Sequence, residues 1–288
     1  MVQVIASGLA NGCVYALVAL GFVLIYSGSG AVNFAQGQFV VVGGILVAWL
    51  TSNLAMSYGL ALLLATVGMG AVGWAFYRVA FYPLREQPMD AVFVSTIGMS
   101  VGIENLSLVI WGPDPQMVTS SYGFQGVHML GATLTPQTLV IFAVTLIILL
   151  LFYAFMNHTK TGRGLRATAE DPETAELMGV PTVRSIGLLF IIGIGLAALA
   201  GGLFAPSVFI TVDQGNQFIL MCFVAAVVGG FGSATGAVVG ALVVGVAEAL
   251  VGVYLTSSYQ DVVIFAAIIV LLYFRPQGIF GEKVAVKA

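Results

Sequence analysis

Charge is scarce in this sequence. Only 7% of the 288 residues are Asp, Glu, Lys or Arg, whereas soluble globular domains carry roughly 25% charged residues. A water-facing surface cannot be built from so few charges, and 60% of the residues are hydrophobic. The composition therefore excludes an ordinary soluble domain and indicates a surface that faces lipid.

Motifs for several kinds of chemistry are also absent. No phosphate-binding G-x-x-x-x-G-K-[ST] segment, H-E-x-x-H segment or Cys/His cluster occurs, and His128 and His158 are isolated. Cys13 and Cys222 lie inside apolar segments, which is typical of small packing residues rather than of a disulfide or a metal site. Basic patches for nucleic acid are lacking. We therefore expect a chain that is not an enzyme and holds no metal or cofactor.

Long apolar stretches fill most of the chain. A spanning helix needs about 20 apolar residues, and the runs lack the alternation of a membrane barrel strand. Small residues at four-residue spacing, such as Gly193, Ala197 and Gly201, indicate close helix packing. The sequence thus predicts an all-α, polytopic membrane protein with one transmembrane domain over residues 1–288. The candidate segments lie near Val4–Tyr26, Ala31–Leu50, Tyr58–Ala80, Ala91–Ile110, Gln137–Met156, Ser185–Ala205, Asn216–Gly232, Gly236–Tyr254 and Tyr259–Phe274.

The basic residues predict the topology. They form three clusters, which follow the third, fifth and last segments, and the positive-inside rule places all three clusters and the C-terminus in the cytoplasm. Three crossings before Arg78 place the N-terminus outside, and a re-entrant or broken segment places it inside. Ser27–Gln38 (SGSGAVNFAQGQ) is the segment that glycines and amides interrupt. The count is therefore eight or nine membrane segments. The clusters are Arg78 and Arg85; Lys160, Arg163, Arg166 and Arg184; and Arg275, Lys283 and Lys287.

Six polar side chains within the apolar segments are candidates for the lining of a translocation path. Broken helices in a membrane expose backbone groups that must face a cavity or be capped by protein. A charge at the bilayer centre costs about 2.5–3.5 kcal/mol on insertion scales, so a retained carboxylate needs a reason. The alternatives are a simple turn between two spans and buried, satisfied hydrogen bonds. The candidates are Asn33, Gln36, Gln38, Glu104, Asn105 and Glu248.

The connection His158–Pro181 contains a short helix signature. Asp171 suits the N-cap, Pro172 suits the first helical position, and Gly179 with Pro181 ends the helix. The pattern predicts a helix over Pro172–Met178, which is too short to be stable alone. Either it lies on the protein's own inner surface or it docks a soluble cytoplasmic partner, and the mixed charges around it favour the partner.

The chain contains four recognisable blocks, Asn11–Phe39 (NGCVYALVALGFVLIYSGSGAVNFAQGQF), Gly162–Val180 (GRGLRATAEDPETAELMGV), Val228–Glu248 (VGGFGSATGAVVGALVVGVAE) and Arg275–Gly281 (RPQGIFG). They resemble the permeases of high-affinity branched-chain amino acid ABC transporters, the LivH-like half of the LivH/LivM pair. Together they run from near the start of the chain to its end and follow the family's order. Gln36 stands where relatives often carry His.

The resemblance implies an inner-membrane importer of several subunits. Its partners would be a second permease subunit (LivM-like or a second copy), two cytoplasmic ATPase subunits that bind the ATP, and a periplasmic substrate-binding protein. Urea and short-chain amide permeases share most of these blocks and stay open as alternatives, as does an ion-coupled secondary transporter. Residues 158–183 would form the loop that couples to the ATPase. The residues assigned to it are Gly162, Arg163, Arg166, Glu170, Asp171, Pro172, Ala175, Leu177, Met178 and Gly179.

Overall fold

The fold is a bundle of helices with one small hairpin. The structure is a computed structural model, and it describes residues 1–118, 126–129 and 132–254 together with scattered positions between 262 and 280. The helices are α1 (Val2–Ser29), α2 (Gln36–Asn53), α3 (Tyr58–Phe76), α4 (Met89–Trp111), α5 (Pro136–His158), α6 (Lys160–Glu170), α7 (Pro172–Leu177), α8 (Thr182–Phe204), α9 (Gly215–Gly229) and α10 (Ala234–Tyr254). A π-helical turn (Tyr77–Phe81) and a 3-10 turn (Tyr82–Leu84) extend α3, and another 3-10 turn (Val212–Gln214) precedes α9. Strands β1 (Val127–Met129) and β2 (Ala132–Leu134) pair antiparallel.

The predicted polytopic helical class is confirmed. Seven helices in the described ranges are long and apolar enough to cross a membrane. Two predicted segments are not among these seven. Helix α2, which covers most of the second predicted segment, is an 18-residue helix outside the set. Most of the last segment, Tyr259–Phe274, lies outside the described residues. The count of eight or nine segments therefore stays a prediction. The seven are α1, α3 with its extension, α4, α5, α8, α9 with its preceding turn, and α10.

Helix α1 forms the centre of the bundle. Its residues Val14–Ile25 are all buried, as expected for a helix that is apolar on every side. It packs against α10, α8 and α9, whereas α4 and α5 lie at the periphery with large apolar side chains exposed. The outward apolar faces of α4 and α5 are thus the surfaces available to lipid or to a partner subunit.

Glycines set the closest helix approaches. A Cβ atom on Gly21 would lie 2.5 Å from the carbonyl oxygen of Gly193, and one on Gly245 would lie 2.4 Å from the amide nitrogen of Gly12. Atoms at such distances clash, so α1 meets α8 and α10 backbone to backbone. The packing role that the small-residue spacing predicts is confirmed here.

The interrupted segment separates two helices inside the bundle. Helix α1 ends at Ser29, and the capping residue Gly30 has a φ of 69°, a left-handed conformation that glycine adopts without strain. Helix α2 then begins at Gln36, beside Gly193. Gly193 is 11 residues beyond the start of α8 at Thr182, which corresponds to about 16 Å along that helix. The start of α2 is therefore deep in the bundle.

Six basic residues lie at one end of the bundle. There the end of α3 meets the start of α8, because the Tyr77 hydroxyl donates to the Val183 carbonyl at 2.9 Å. The end of α5 and helix α6 meet at the same end, where Gly162 contacts the backbone of Phe155. This clustering agrees with the topology that the charges predict. The six are Arg78, Arg85, Lys160, Arg163, Arg166 and Arg184.

Two of the four recognisable sequence blocks meet through the backbone. The amide of Ile279 donates to the Val228 carbonyl and that of Phe280 to the Gly229 carbonyl, both at 2.9 Å. Gly278, at a φ of 74°, turns the chain onto the end of α9. The RPQG-containing block thus caps the last carbonyls of a helix that ends inside the bundle.

Candidate functional site

Asn33 and Gln36 form a buried amide network at the start of α2. The Asn33 side-chain nitrogen donates to Gln36 Oε1 at 3.2 Å, and the Asn33 side-chain oxygen accepts from the Ala35 amide at 3.1 Å. Gln36 Nε2 donates to the Gly193 carbonyl at 3.0 Å. Because both side chains are buried and bonded to the protein itself, their observed contacts fix the α1–α2 connection against α8.

Gln38 and Glu104 form a second polar contact, between α2 and α4. Gln38 Nε2 donates to a carboxylate oxygen of Glu104 at 3.0 Å. Gln38 is buried, and its Oε1 accepts no hydrogen bond from the described part of the chain. Glu104 is only half-buried, on a helix whose other side chains are mostly exposed. Among the six candidates this pair joins a buried amide to a carboxylate that is partly exposed at the surface of the subunit.

The observed contacts of Asn105 and Glu248 do not involve the Gln38–Glu104 hydrogen bond. Asn105 is exposed and donates to the carbonyl of Val101, one turn earlier in α4, at 2.8 Å. Glu248 is buried in α10, the helix that packs along α1. The structure therefore shows two contacts among the six candidates: Asn33 bonds to Gln36, and Gln38 bonds to Glu104. A path-lining role for any of the six stays a prediction.

A helix that sequence reasoning missed occupies the first half of the predicted coupling loop. Helix α6 covers Lys160–Glu170, and the Thr159 hydroxyl caps it by accepting from the Gly162 amide at 2.9 Å. Gly162 allows the tight reversal from α5, since a Cβ there would lie 2.2 Å from the Phe155 carbonyl. The Thr159 cap was the available signal, and the two glycines that follow it obscured the helix because glycine is a poor helix former.

The short helix predicted over Pro172–Met178 is present as α7, Pro172–Leu177. An Asp171 side-chain oxygen accepts from the amides of Glu173 and Thr174, each at 3.1 Å, and the other oxygen accepts from the Thr174 hydroxyl at 2.6 Å. These donors stabilise the carboxylate, so the Thr174 hydroxyl first and then its amide hold the pKa of Asp171 below its ordinary value. Gly179 ends the segment at a φ of 83°.

Helix α7 presents two apolar side chains to solvent. Ala175 is only 4% exposed and packs inward, whereas Leu177 is 88% exposed and Met178 80% exposed. One face of the helix therefore lies on the protein's own surface and the other projects from it, and the docking of a partner on the projecting face stays a prediction. Helices α6 and α7 also carry exposed charged side chains. Arg163, Arg166, Glu170, Glu173 and Glu176 are all exposed, and Arg166 donates to the Asn157 side chain at 2.6 Å.

One segment of the chain matches the spacing of a catalytic-serine motif. Gly98–Gly102 reads GMSVG and matches G-x-S-x-G, but it lies in the middle of α4, without the strand-to-helix turn that exposes a catalytic serine. In the described residues, no three or more His, Cys, Asp or Glu side chains form a group that could hold a metal ion.

Comparison with known proteins gives a match over almost the full length. Residues 4–272 match the family model described as branched-chain amino acid transport system, permease component. The chain is 35% identical to the high-affinity branched-chain amino acid permease LivH of Salmonella typhimurium, covering 97% of this chain and 95% of that protein. It is 33% identical to BraD of Pseudomonas aeruginosa over the same shares, and 28% identical to a probable LivH of Methanocaldococcus jannaschii over 92% and 88%.

Proposed function

The chain belongs to the permease-component family of branched-chain amino acid transport systems, and on that premise we propose that it carries branched-chain amino acids across the bacterial inner membrane. It is a transport subunit of an ABC importer and not an enzyme. The observation that carries the substrate assignment is the 35% identity to LivH over 97% of the chain. This similarity does not favour the urea, short-chain amide and ion-coupled alternatives.

The proposed assembly contains a second permease subunit, either LivM-like or another copy of this chain. Two cytoplasmic ATPase subunits bind and hydrolyse the ATP, and a periplasmic protein delivers the substrate. The exposed apolar faces of α4 and α5 support a partner permease, because large apolar patches mark lipid or protein contacts. The end of the bundle that carries the six basic residues, together with the C-terminus, faces the cytoplasm under the positive-inside rule.

Alternating access is the mechanism that we propose. The loaded binding protein docks outside, ATP draws the two ATPase subunits together inside, and α7 transmits that movement to the bundle. Leu177 and Met178 are suited to this role, since they project from a capped helix whose inner face is anchored by Ala175. Helix α6 links α7 to α5, α1 and α8, so a push on α7 reaches the central helix.

The proposed path runs past the Gln38–Glu104 contact. A zwitterionic amino acid carries an ammonium group that a half-buried carboxylate attracts, and its aliphatic side chain needs only an apolar wall. Glu104 supplies the carboxylate, and the apolar side chains of α4 supply such a wall. Charged groups retained within a membrane protein commonly mark a solute route.

Reconstitution of the complete assembly tests the function. Vesicles that contain both permease subunits, the ATPases and the loaded binding protein should accumulate labelled leucine, isoleucine or valine only with ATP, and vanadate should stop the uptake. Labelled urea and acetamide should not accumulate. Accumulation of urea in place of leucine would overturn the substrate, and uptake that a protonophore abolishes while ATP is present would overturn the energy source.

A further inference from the structure

An open groove of about 810 Å³ lies between the end of α3 and the start of α8. It is at the basic end of the bundle and borders α7. Trp74, Arg78 and Tyr82 line it from the α3 side, Thr182 and Arg184 from α8, and Glu176 from α7. The transport mechanism proposed above uses none of these side chains.

The groove holds two arginines, Arg78 and Arg184, that are not engaged in ion pairs within the described part of the chain. Nearby Arg85, by contrast, pairs with Glu86 at 3.1 Å. The Arg78 guanidinium lies 5.1 Å from the centre of the Trp74 ring and 4.9 Å from that of Tyr82. Stacking on two rings orients the planar group while its N–H donors stay available, an arrangement that suits phosphate.

The charge balance of the groove favours a singly charged ligand. Glu176 also lines it, and its carboxylate accepts from the Thr182 hydroxyl at 3.4 Å. Two arginines against one carboxylate leave a formal net charge of +1. A phosphodiester, which carries one negative charge, matches that balance better than dianionic inorganic phosphate.

An apolar surface continues from the groove along α3. Leu63 and Val67 are exposed on this spanning helix, and their spacing of eleven and seven residues from Trp74 places them on the same face as that residue. Trp74, about a third exposed, is followed one turn later by Arg78, and Tyr82 comes one turn after that. Trp and Tyr beside arginine are typical of the level where lipid headgroups meet the hydrocarbon core. This arrangement suits an anionic head in the groove and acyl chains along the neighbouring helix.

We propose that this groove binds the phosphate of an anionic glycerophospholipid from the cytoplasmic leaflet, such as phosphatidylglycerol. Basic pockets between helices on that side of a membrane recognise such headgroups. The lipid would bridge Arg78 at the end of α3 and Arg184 at the start of α8, directly beside Glu176 of α7. The site does not depend on the identity of the transported solute.

Native mass spectrometry of the purified complete assembly tests the site. Phosphatidylglycerol should bind at least tenfold more tightly than phosphatidylcholine. Arg78→Gln and Arg184→Gln should each weaken phosphatidylglycerol binding about fivefold, since each nearby basic residue contributes about that factor. Lys160→Gln removes one positive charge from an exposed residue of α6, at the same end of the bundle and outside the groove lining, and should leave binding unchanged. Arg78→Lys should give an intermediate loss, because it keeps the charge and loses the planar stacking.

Three results would overturn the proposal. The first is unchanged phosphatidylglycerol binding in an assembled Arg184→Gln variant, whose exposed side chain makes assembly the expected outcome. The second is displacement of the lipid by inorganic phosphate at equal concentration, which would mark a free-anion site. The third is lipid binding that occurs only after the ATPase subunits are removed, which would mark the groove as their docking surface.

Discussion

Gln36 Nε2 donates a 3.0 Å hydrogen bond to the main-chain carbonyl of Gly193 and so joins the start of α2 to the middle of α8. Gly193 also faces Gly21 of α1 so closely that neither residue has room for a side chain. Three helices therefore meet at one peptide group deep in the bundle. Substitutions at this junction should therefore lower the stability of the subunit more than they alter transport directly.

Gln36→Leu should lower the free energy of unfolding by about 1–3 kcal/mol, because it removes a buried donor and leaves Asn33 without its Oε1 acceptor. Gln36→His should lose less, since an imidazole N–H can still donate towards Gly193. Thermal unfolding in detergent measures both. The matched control is Gln217→Leu, the same substitution at an exposed site, and equal losses at the two positions would contradict the role of the junction.

Gly193→Ala should destabilise the subunit, whereas Gly98→Ala should not. Alanine is the better helix former by up to about 1 kcal/mol, so Gly98→Ala, with no atom within 4 Å of the new Cβ, should be neutral or stabilising. A Cβ on Gly193 would lie 2.7 Å from the Gly21 carbonyl, and overpacking costs about 1–3 kcal/mol. Denaturant unfolding measures the free energy of unfolding of both variants. A stabilised Gly193→Ala would refute the close approach of α1 and α8.

Leu177→Asp should weaken the docking of the ATPase in an otherwise folded subunit. The side chain is 88% exposed, so the substitution removes a docking contact at little cost to folding. Substrate-stimulated ATP hydrolysis and uptake should both fall at least tenfold in reconstituted vesicles, with normal yield of the purified permease. Ala175→Asp, which buries a charge, should instead lower the yield of folded protein. Normal coupled uptake by Leu177→Asp would contradict the docking role of α7.

The Asp171 cap should make the start of α7 sensitive to acid. The folded-state pKa of this carboxyl lies below its ordinary value of 3.8, because Thr174 donates to the carboxylate. Its stabilisation is complete above the ordinary value and is lost as the pH falls through the lowered one. Hydrogen exchange at the Thr174 amide, corrected for the intrinsic rate, should show constant protection above about pH 5 and falling protection below the ordinary pKa. Asp171→Asn keeps the acceptor without ionising and should lack this transition.

Glu104→Gln should slow uptake about tenfold or more at fixed ATPase content. A hydrogen bond to a charged group contributes about 1.5–3 kcal/mol, and the substitution removes the charge while Gln38 keeps an oxygen acceptor. Initial rates of leucine uptake measure the effect. Glu86→Gln, which removes the same charge from an exposed side chain, serves as the control, and equal rates in wild type and Glu104→Gln would exclude Glu104 from the path.

The sequence predicted the features that depend on local chemistry. Apolar length predicted the spans, and the Asp171-Pro172 cap with Gly179 predicted α7 to within one residue. Tertiary contacts decided the rest. Nothing in the pattern of α4 says that Glu104 meets Gln38 of α2 while Asn105 turns outward. The placement of Arg78 over both the Trp74 and Tyr82 rings depends on the helical turns that end α3, which residue spacing alone did not reveal.

The backbone bonds from Ile279 and Phe280 to the end of α9 have a consequence for biosynthesis. The ribosome completes α9 about fifty residues before these two amides exist, so the Val228 and Gly229 carbonyls enter the membrane region with those partners still unmade. Such polar groups are costly in an apolar environment. A product truncated before Gly278 would therefore expose a polar defect that quality-control proteases could use to tell unfinished subunits from complete ones.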